Sequence, residues 1–360
     1  MKKVAFFSGP AWERWDATSP NVKGIGGSET CLVYLSAELR KLGHEVSLFI
    51  DTEAKRDVDG VHYYPFRELS ELRDKEFDYF IHFRNTKALE LKPSAKCHIG
   101  FAQDVALSTK EGEANLSGKL DYLVSLSEPH TKHLSAHHSF PIEKILMTAN
   151  AVDPAKYLAP KEKVRNQIFY SSCPSRDLDQ LLWCSQDIAK YVPNFSLVVA
   201  YGLQTWEGLL RQGRGDYRKY FFTLDMMKSF PWVKYLGRIN QRALAELQSS
   251  SRGWFYPTAF PETFCITAAE AGFARCPILA SNCFGLETTI KDSGIIVNGS
   301  PDSPDFRAAF VENAIRLLTD DVHWREWSER SYDRMRRFTW EAVAQQWHQF
   351  FTNGQWRNIQ

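Results

Sequence analysis

The chain has 360 residues, more than a single hydrophobic core usually serves, so two domains of ordinary size are expected. With 44 basic against 43 acidic side chains the net charge is +1, which argues against a nucleic-acid partner. The apolar run Val4–Phe7 is too short for a signal peptide or a membrane span, and the seven cysteines are odd in number and never spaced as C-x-x-C. No disulfide framework and no zinc site is therefore expected, and the reading is a reduced, cytoplasmic protein.

In chain order, short β-branched or aromatic runs alternate with longer amphipathic stretches, the pattern of parallel sheets covered by helices. Strands are expected at Val4–Gly9, Glu45–Ile50, Tyr79–Phe83, Cys97–Ala102, Tyr122–Ser127 and Ile145–Thr148. A helix from about Ser28 to Leu42 joins the first two, with Ser28 as its cap, Gly43 as its stop and Leu32, Leu35, Leu39 and Leu42 on one face. The polar stretch Ala151–Lys163, with Pro154 and Pro160, reads as a linker. The alternation then restarts at Gln167–Ser172, Leu197–Tyr201, Val233–Leu236, Gly253–Tyr256, Pro277–Ala280 and Ile295–Val297, and the segment Asp321–Trp356 is helical in period. The fold class is α/β, with an N-terminal domain over 1–155, a second over 164–338 and a C-terminal helix over 339–360. The segment Glu207–Phe230, which mixes basic with aromatic residues, interrupts the second alternation. It reads as a solvated excursion with a partly buried aromatic face, or as a contact with a membrane surface or an acceptor.

Two constellations carry chemistry. "GIGGSE", Gly24 to Glu29, opens a helix, where glycines let backbone approach a ligand and unsatisfied N–H groups attract anions. Asp51 ends the next strand, as a ribose-binding acid would, but the glycines lack the G-x-G-x-x-G spacing, which discounts a nicotinamide cofactor. "PTAFPETFCITAAEAGFARCP" follows the strand Gly253–Tyr256 and is expected to become a helix near Phe264, capped by Thr263, with the amides of Phe264, Cys265 and Ile266 pointing out of its start. Such a start suits a diphosphate. Glu262 stands just ahead and Glu270 further in, either as ligand-binding acids or as a capping-region acid and a solvated one.

Taken in order, these pieces resemble the retaining GT-B glycosyltransferases of glycosyltransferase family 4. "GGSETCLVYLSAELRKLGHEVSLF" is similar to that family's glycine loop, helix and strand entry; "DYLVSLSEPHTKHL" and "ANAVD" to its inter-domain passage; "YSSCPSRDLDQLL", "VKYLG" and "PTAFPETFCITAAEAGFARCPILAS" to its nucleotide-sugar half with the E-x7-E signature. The resemblance implies two Rossmann-like domains facing across a cleft, with C-terminal helices packing back on the first. It implies transfer, with retention and without a metal or cofactor, from a nucleotide-diphosphate sugar to a glycan, lipid-linked or other hydroxyl acceptor, as in polysaccharide biosynthesis. The alternative is a non-catalytic nucleotide-sugar or glycan-binding protein on the same scaffold.

By position, Gly26 and Gly27 would lie near the diphosphate and the acceptor, Arg176 would clamp the diphosphate, and Glu262 would contact the donor sugar. Thr263, Phe264, Cys265 and Ile266 would line the donor site and Glu270 would hold the ribose; Glu287 resembles a further acid. Gln103 and Asp104 stand where relatives carry a histidine near the reaction centre; glutamine can hydrogen-bond to a sugar but cannot act as a base. Ala151 stands in place of a glycine, and Asp177 follows Arg176 where glycine is usual. Asp57–Asp59 and Asp177–Asp179 mimic a metal-binding D-x-D, and His133 and His137 share a helical face, but none of these is read as a metal site.

Overall fold

The computed structural model describes residues 1–72, 75–158 and 161–359, so that Pro160 of the expected linker lies outside the described residues. The chain divides into two compact units. The first comprises Met1–Pro20, Ile25–Ala151 and Phe338–Gln360, and the second Asn21–Gly24 and Val152–Arg337.

In the first unit, β1 (Lys3–Phe7), β2 (Glu45–Ile50), β3 (Arg56–Val58), β4 (Val61–Pro65), β5 (Phe77–Phe83), β6 (Ala95–Phe101), β7 (Tyr122–Ser125) and β8 (Ile145–Met147) form one sheet in the order β3-β4-β2-β1-β5-β6-β7-β8. All pairs are parallel except β3 with β4. The inner strands read as near-continuous apolar runs because both faces are covered. β4 is missing from the sequence reading, since the charged β3 before it and Pro65 at its end mask the buried Val61, Tyr63 and Tyr64. α1 (Gly27–Lys41) covers the sheet with Leu32, Leu35 and Leu39. Its cap is Gly26, in extended conformation and without a side-chain bond, rather than Ser28. Gly43 ends it with φ +87°, a value that costs glycine little. α2 (Glu128–His138) follows β7.

The last helix, α11 (Trp340–Asn353), belongs to this unit and lies against α1. Helices α3 to α10 lie in the second unit. Trp347 is fully buried between Phe6 and Phe101, with ring centroids at 6.3 and 5.5 Å, and Trp340 stacks on Tyr34. Gln346 binds both Thr148 and the Met147 carbonyl. Burial of an aromatic side chain of this size contributes about 2–3 kcal/mol.

Two imidazole pairs sit in this unit. His82 lies 3.2 Å from His98, and His44 lies 2.9 Å from His348 of α11. Burial, then the neighbouring imidazole, holds His82 down at about 3 and His44 at about 4. Unfolded, His82 and His44 take up protons below about 6.5, which they resist when folded. Stability is therefore fully present above that pH and lost as pH falls towards 4. Urea melts between pH 7.5 and 5 are expected to show a midpoint that is flat at first and falls below about pH 6.5; a flat profile would exclude a neutral, buried His82 and His44.

In the second unit, β9 (Gln167–Tyr170), β10 (Ser196–Val199), β11 (Val233–Tyr235), β12 (Gly253–Tyr256), β13 (Ile278–Ser281) and β14 (Ile295–Val297) form an all-parallel sheet in the order β11-β10-β9-β12-β13-β14. Its helices are α3 (Leu178–Tyr191), α4 (Gln204–Arg211), α5 (Tyr217–Ser229), α6 (Gln241–Ser250), α7 (Ile266–Phe273), α8 (Leu286–Ile290), α9 (Pro304–Thr319) and α10 (Asp321–Met335). The segment Glu207–Phe230 is thus the crossover from β10 to β11, built as two helices. Both α/β units match the expected fold class. Gly272 of α7 lies against α10: a Cβ there would stand 2.6 Å from Met335 Cβ and 2.8 Å from the Ser331 carbonyl oxygen.

Candidate functional site

In an open parallel sheet, ligands bind beyond the carboxyl ends of the strands, where the strand order reverses. In the second unit that point lies between β9 and β12. The loop after β9 carries Arg176 and the loop after β12 carries Glu262. The two side chains meet: Arg176 Nη1 lies 2.9 Å from Glu262 Oε1, and Tyr256 Oη donates to the same oxygen at 2.7 Å. Both donors fall on one carboxylate oxygen, so Oε2 is left for another donor. Glu262 is 5% exposed, whereas the Arg176 guanidinium is half-buried and lies 4.2 Å over the Phe260 ring.

Tyrosines at the ends of adjacent strands set this geometry, and sequence reasoning missed both. Tyr170 Oη donates to the carbonyls of Cys173 and Arg176, each at 3.0 Å, and so closes the loop that presents Arg176. Burial, and then the charge of Glu262, raises the Tyr256 hydroxyl well above the usual phenol range, so it remains a donor. The only signal was a tyrosine at or near the end of each expected strand.

Asp177 joins the two loops, accepting from the Ala259 amide at 2.8 Å and from Thr258 Oγ1 at 3.2 Å. Its backbone has φ +61°, a left-handed conformation that aspartate tolerates better than most residues; a glycine-like position is thus filled without glycine. Lys219 bridges Asp177 and Asp179 at 2.6 and 3.2 Å, so this D-x-D is an ion-paired staple. Asp57 lies in edge strand β3 and pairs with His62. Among the described residues no group of three or more His, Cys, Asp or Glu is placed to hold a metal ion.

The helix beyond Glu262 starts later than the sequence suggests. α7 begins at Ile266, and its cap is Cys265, held at φ +72° with no side-chain bond. Thr263 therefore does not cap it, and the Phe264 and Cys265 amides belong to the entry loop. The Phe264 ring is fully buried, and Thr289 Oγ1 holds the Phe264 carbonyl at 2.8 Å. The first N–H groups of α7 lack partners within the helix, the usual state of a helix start.

Glu270 lies one turn further along α7. Gln248 Nε2 donates to its Oε2 at 2.9 Å, and Tyr157 Oη donates to Gln248 Oε1 at 2.5 Å. Burial raises the Glu270 carboxyl above its ordinary value, opposed by the Gln248 bond and by the charge of Lys156. Lys156, from the linker segment, donates to Gln241. Gln248 and Lys156 were not anticipated. Glu287 is exposed on the short helix α8.

In the first unit the strand order reverses between β1 and β5. Gly26 and Gly27 open α1 there, and a Cβ on Gly26 would collide with the Glu29 carboxylate. Arg84, at φ +65° after β5, reaches Glu29 at 3.3 Å and Asp104 at 2.9 Å. Gln103 is buried, and its amide exchanges hydrogen bonds with Asn150 at 2.9 and 3.3 Å. Gln103 and Asp104 thus take part in separate networks. His133 and His137 stack on α2 with ring centroids 5.5 Å apart.

No protein-family model matches the chain. A curated relative, the O-antigen chain mannosyltransferase B of Escherichia coli, is 29% identical over 116 residues, which is 32% of this chain and 29% of that protein. The chain therefore matches less than a third of that relative's length. Among solved structures, the sucrose-phosphate synthase of Thermosynechococcus elongatus superposes with a TM-score of 0.71 at 15% identity, over 98% of each chain. An Anabaena protein solved with UDP and glucose superposes with a TM-score of 0.70 at 13% identity, over 98% of this chain and 100% of that one. With its two doubly wound, largely parallel sheets, the chain has the GT-B fold of glycosyltransferases.

Proposed function

We propose that the protein is a retaining, metal-independent glycosyltransferase whose second unit takes a nucleotide-diphosphate sugar and whose first unit takes a hydroxyl acceptor. The observation that carries this reading is the meeting of Arg176 and Tyr256 on one oxygen of a buried Glu262 at the sheet's reversal point. Glu262 is held from one side, so that Oε2 accepts from a sugar hydroxyl. Arg176 spends Nη1 on Glu262 and keeps Nε and Nη2 for phosphate oxygens, a geometry that guanidinium favours. The amides at the start of α7 add donors for the same anion. Glu270, with one oxygen taken by Gln248, accepts a ribose hydroxyl on the other.

In the reaction the acceptor oxygen forms a bond to the anomeric carbon as the bond from that carbon to the diphosphate oxygen breaks. Front-face attack preserves configuration, and the acceptor's proton passes to the departing diphosphate. No protein base is needed, which is consistent with Gln103 held in an amide pair with Asn150. Stabilisation of the negative charge developing on the diphosphate supplies most of the rate.

The matched relative is by name a mannosyltransferase of O-antigen chains, so a mannosyl donor with a growing glycan, free or lipid-linked, is the first pair to test. Incubation with a panel of nucleotide sugars and acceptors is expected to release nucleotide diphosphate and yield a product of unchanged anomeric configuration. Binding without release would instead favour a non-catalytic sugar-nucleotide-binding protein.

A further inference from the structure

The crossover from β10 to β11 presents a face that its own core does not use. On α5, Tyr220, Thr223, Met226 and Met227 are buried. On the other side Tyr217, Phe221 and Phe222 are 53, 63 and 45% exposed. The Tyr217 and Phe221 rings stack at 6.5 Å, and Phe222 lies 5.8 Å from Trp183 of α3, itself 38% exposed. Exposed aromatic side chains gathered in this way mark an interaction surface.

Basic groups outnumber acidic ones around them. Arg211, Arg214, Arg218, Lys228 and Lys234 have no ion-pair partner among the described residues. Three acids, Glu207, Asp216 and Asp225, stand against these five cations; Asp216 caps α5 through the Arg218 amide and Glu207 accepts from Tyr220 Oη at 2.8 Å. Lys219 is already spent on Asp177 and Asp179.

We propose that this face of α5 docks the protein on an anionic lipid surface. Rings that are apolar in body, set among unpaired arginine and lysine, suit the headgroup boundary: the rings enter the acyl margin and the cations meet phosphate. A second copy is a poor occupant, because a two-fold interface would bring the same cations together. No helix among the described residues is long and apolar enough to cross a membrane, so contact through this face is peripheral. The proposal does not depend on the sugar chemistry, and its test needs no substrate.

The full chain is to be sedimented with phosphatidylcholine vesicles, with and without phosphatidylglycerol. Binding is expected to need the anionic lipid and to fall sharply as salt screens the charges. Phe221→Ala with Phe222→Ala, and separately Arg218→Glu with Lys228→Glu, are each expected to weaken it roughly tenfold at unchanged thermal midpoint. Arg211→Glu with Arg214→Glu, in the turn before α5, gives a second charge variant that leaves the helix intact. The proposal is overturned by absence of pelleting, by equal binding to neutral vesicles, by variants that bind as the parent does, or by light scattering that shows these substitutions dissociating a dimer.

Discussion

Glu262→Gln is expected to lower turnover with the productive donor by roughly 10²–10³, the range seen when one group stabilising a transition state is removed. Glutamine keeps the shape and can still accept from Tyr256, but it no longer carries the charge that orients Arg176. The effect should fall on kcat more than on nucleotide affinity, because in the proposed reading Glu270 and the start of α7 would hold the nucleotide independently of Glu262. Tyr256→Phe is the informative companion. It leaves both charges in place and removes one of the two donors on Oε1, so turnover should drop by about tenfold, as for a hydrogen bond to a charged group. Steady-state nucleotide release, with calorimetric nucleotide binding alongside, separates the two effects. Near-normal turnover of Glu262→Gln would remove this site from the chemistry.

The second large effect is on stability. Gly272→Leu is expected to destabilise the second unit by roughly 3 kcal/mol, the upper end of the overpacking range. Met335 could swing aside, but the Ser331 carbonyl oxygen, 2.8 Å from the added Cβ, is backbone fixed in α10. For a unit of this size such a loss corresponds to a drop of about 6–12 °C in thermal midpoint by calorimetry. An unchanged midpoint would mean that α7 and α10 do not pack this closely. Since α7 also carries Glu270, reduced nucleotide affinity should accompany the loss.

Most of the sheet was legible in the sequence, because a strand buried on both faces is written as an unbroken apolar run. Glu45–Ile50, Gly253–Tyr256 and Ile295–Val297 have the expected limits, and ends of the other expected strands moved by a residue or two. The polar edge strand β3 was hidden, since an edge strand need not be apolar, and β4 beside it was masked by that charged neighbour and by Pro65. Helix starts misled for a different reason. At Gly26 and Cys265 the cap is set by backbone conformation, whereas Ser28 and Thr263 only have the right side chains. The individual residues of the candidate site could be named through a family resemblance. Their partnership could not: Arg176 and Glu262 are 86 residues apart in sequence and meet because β9 and β12 are neighbours in the sheet. Tyr256 stayed hidden because a tyrosine ending a strand reads first as core.

The placement of α11 governs the order in which the molecule can be made. The first unit needs Trp340, Trp347 and Gln346 to complete it, yet the ribosome delivers them only after Val152–Arg337 has emerged. At ordinary synthesis rates that interval is roughly 10–40 s. During it the second unit has nearly all of its chain, whereas the nascent first unit keeps Phe6, Phe101 and the edge of β8 uncovered. Chaperone dependence should therefore concentrate on the half that is synthesised first.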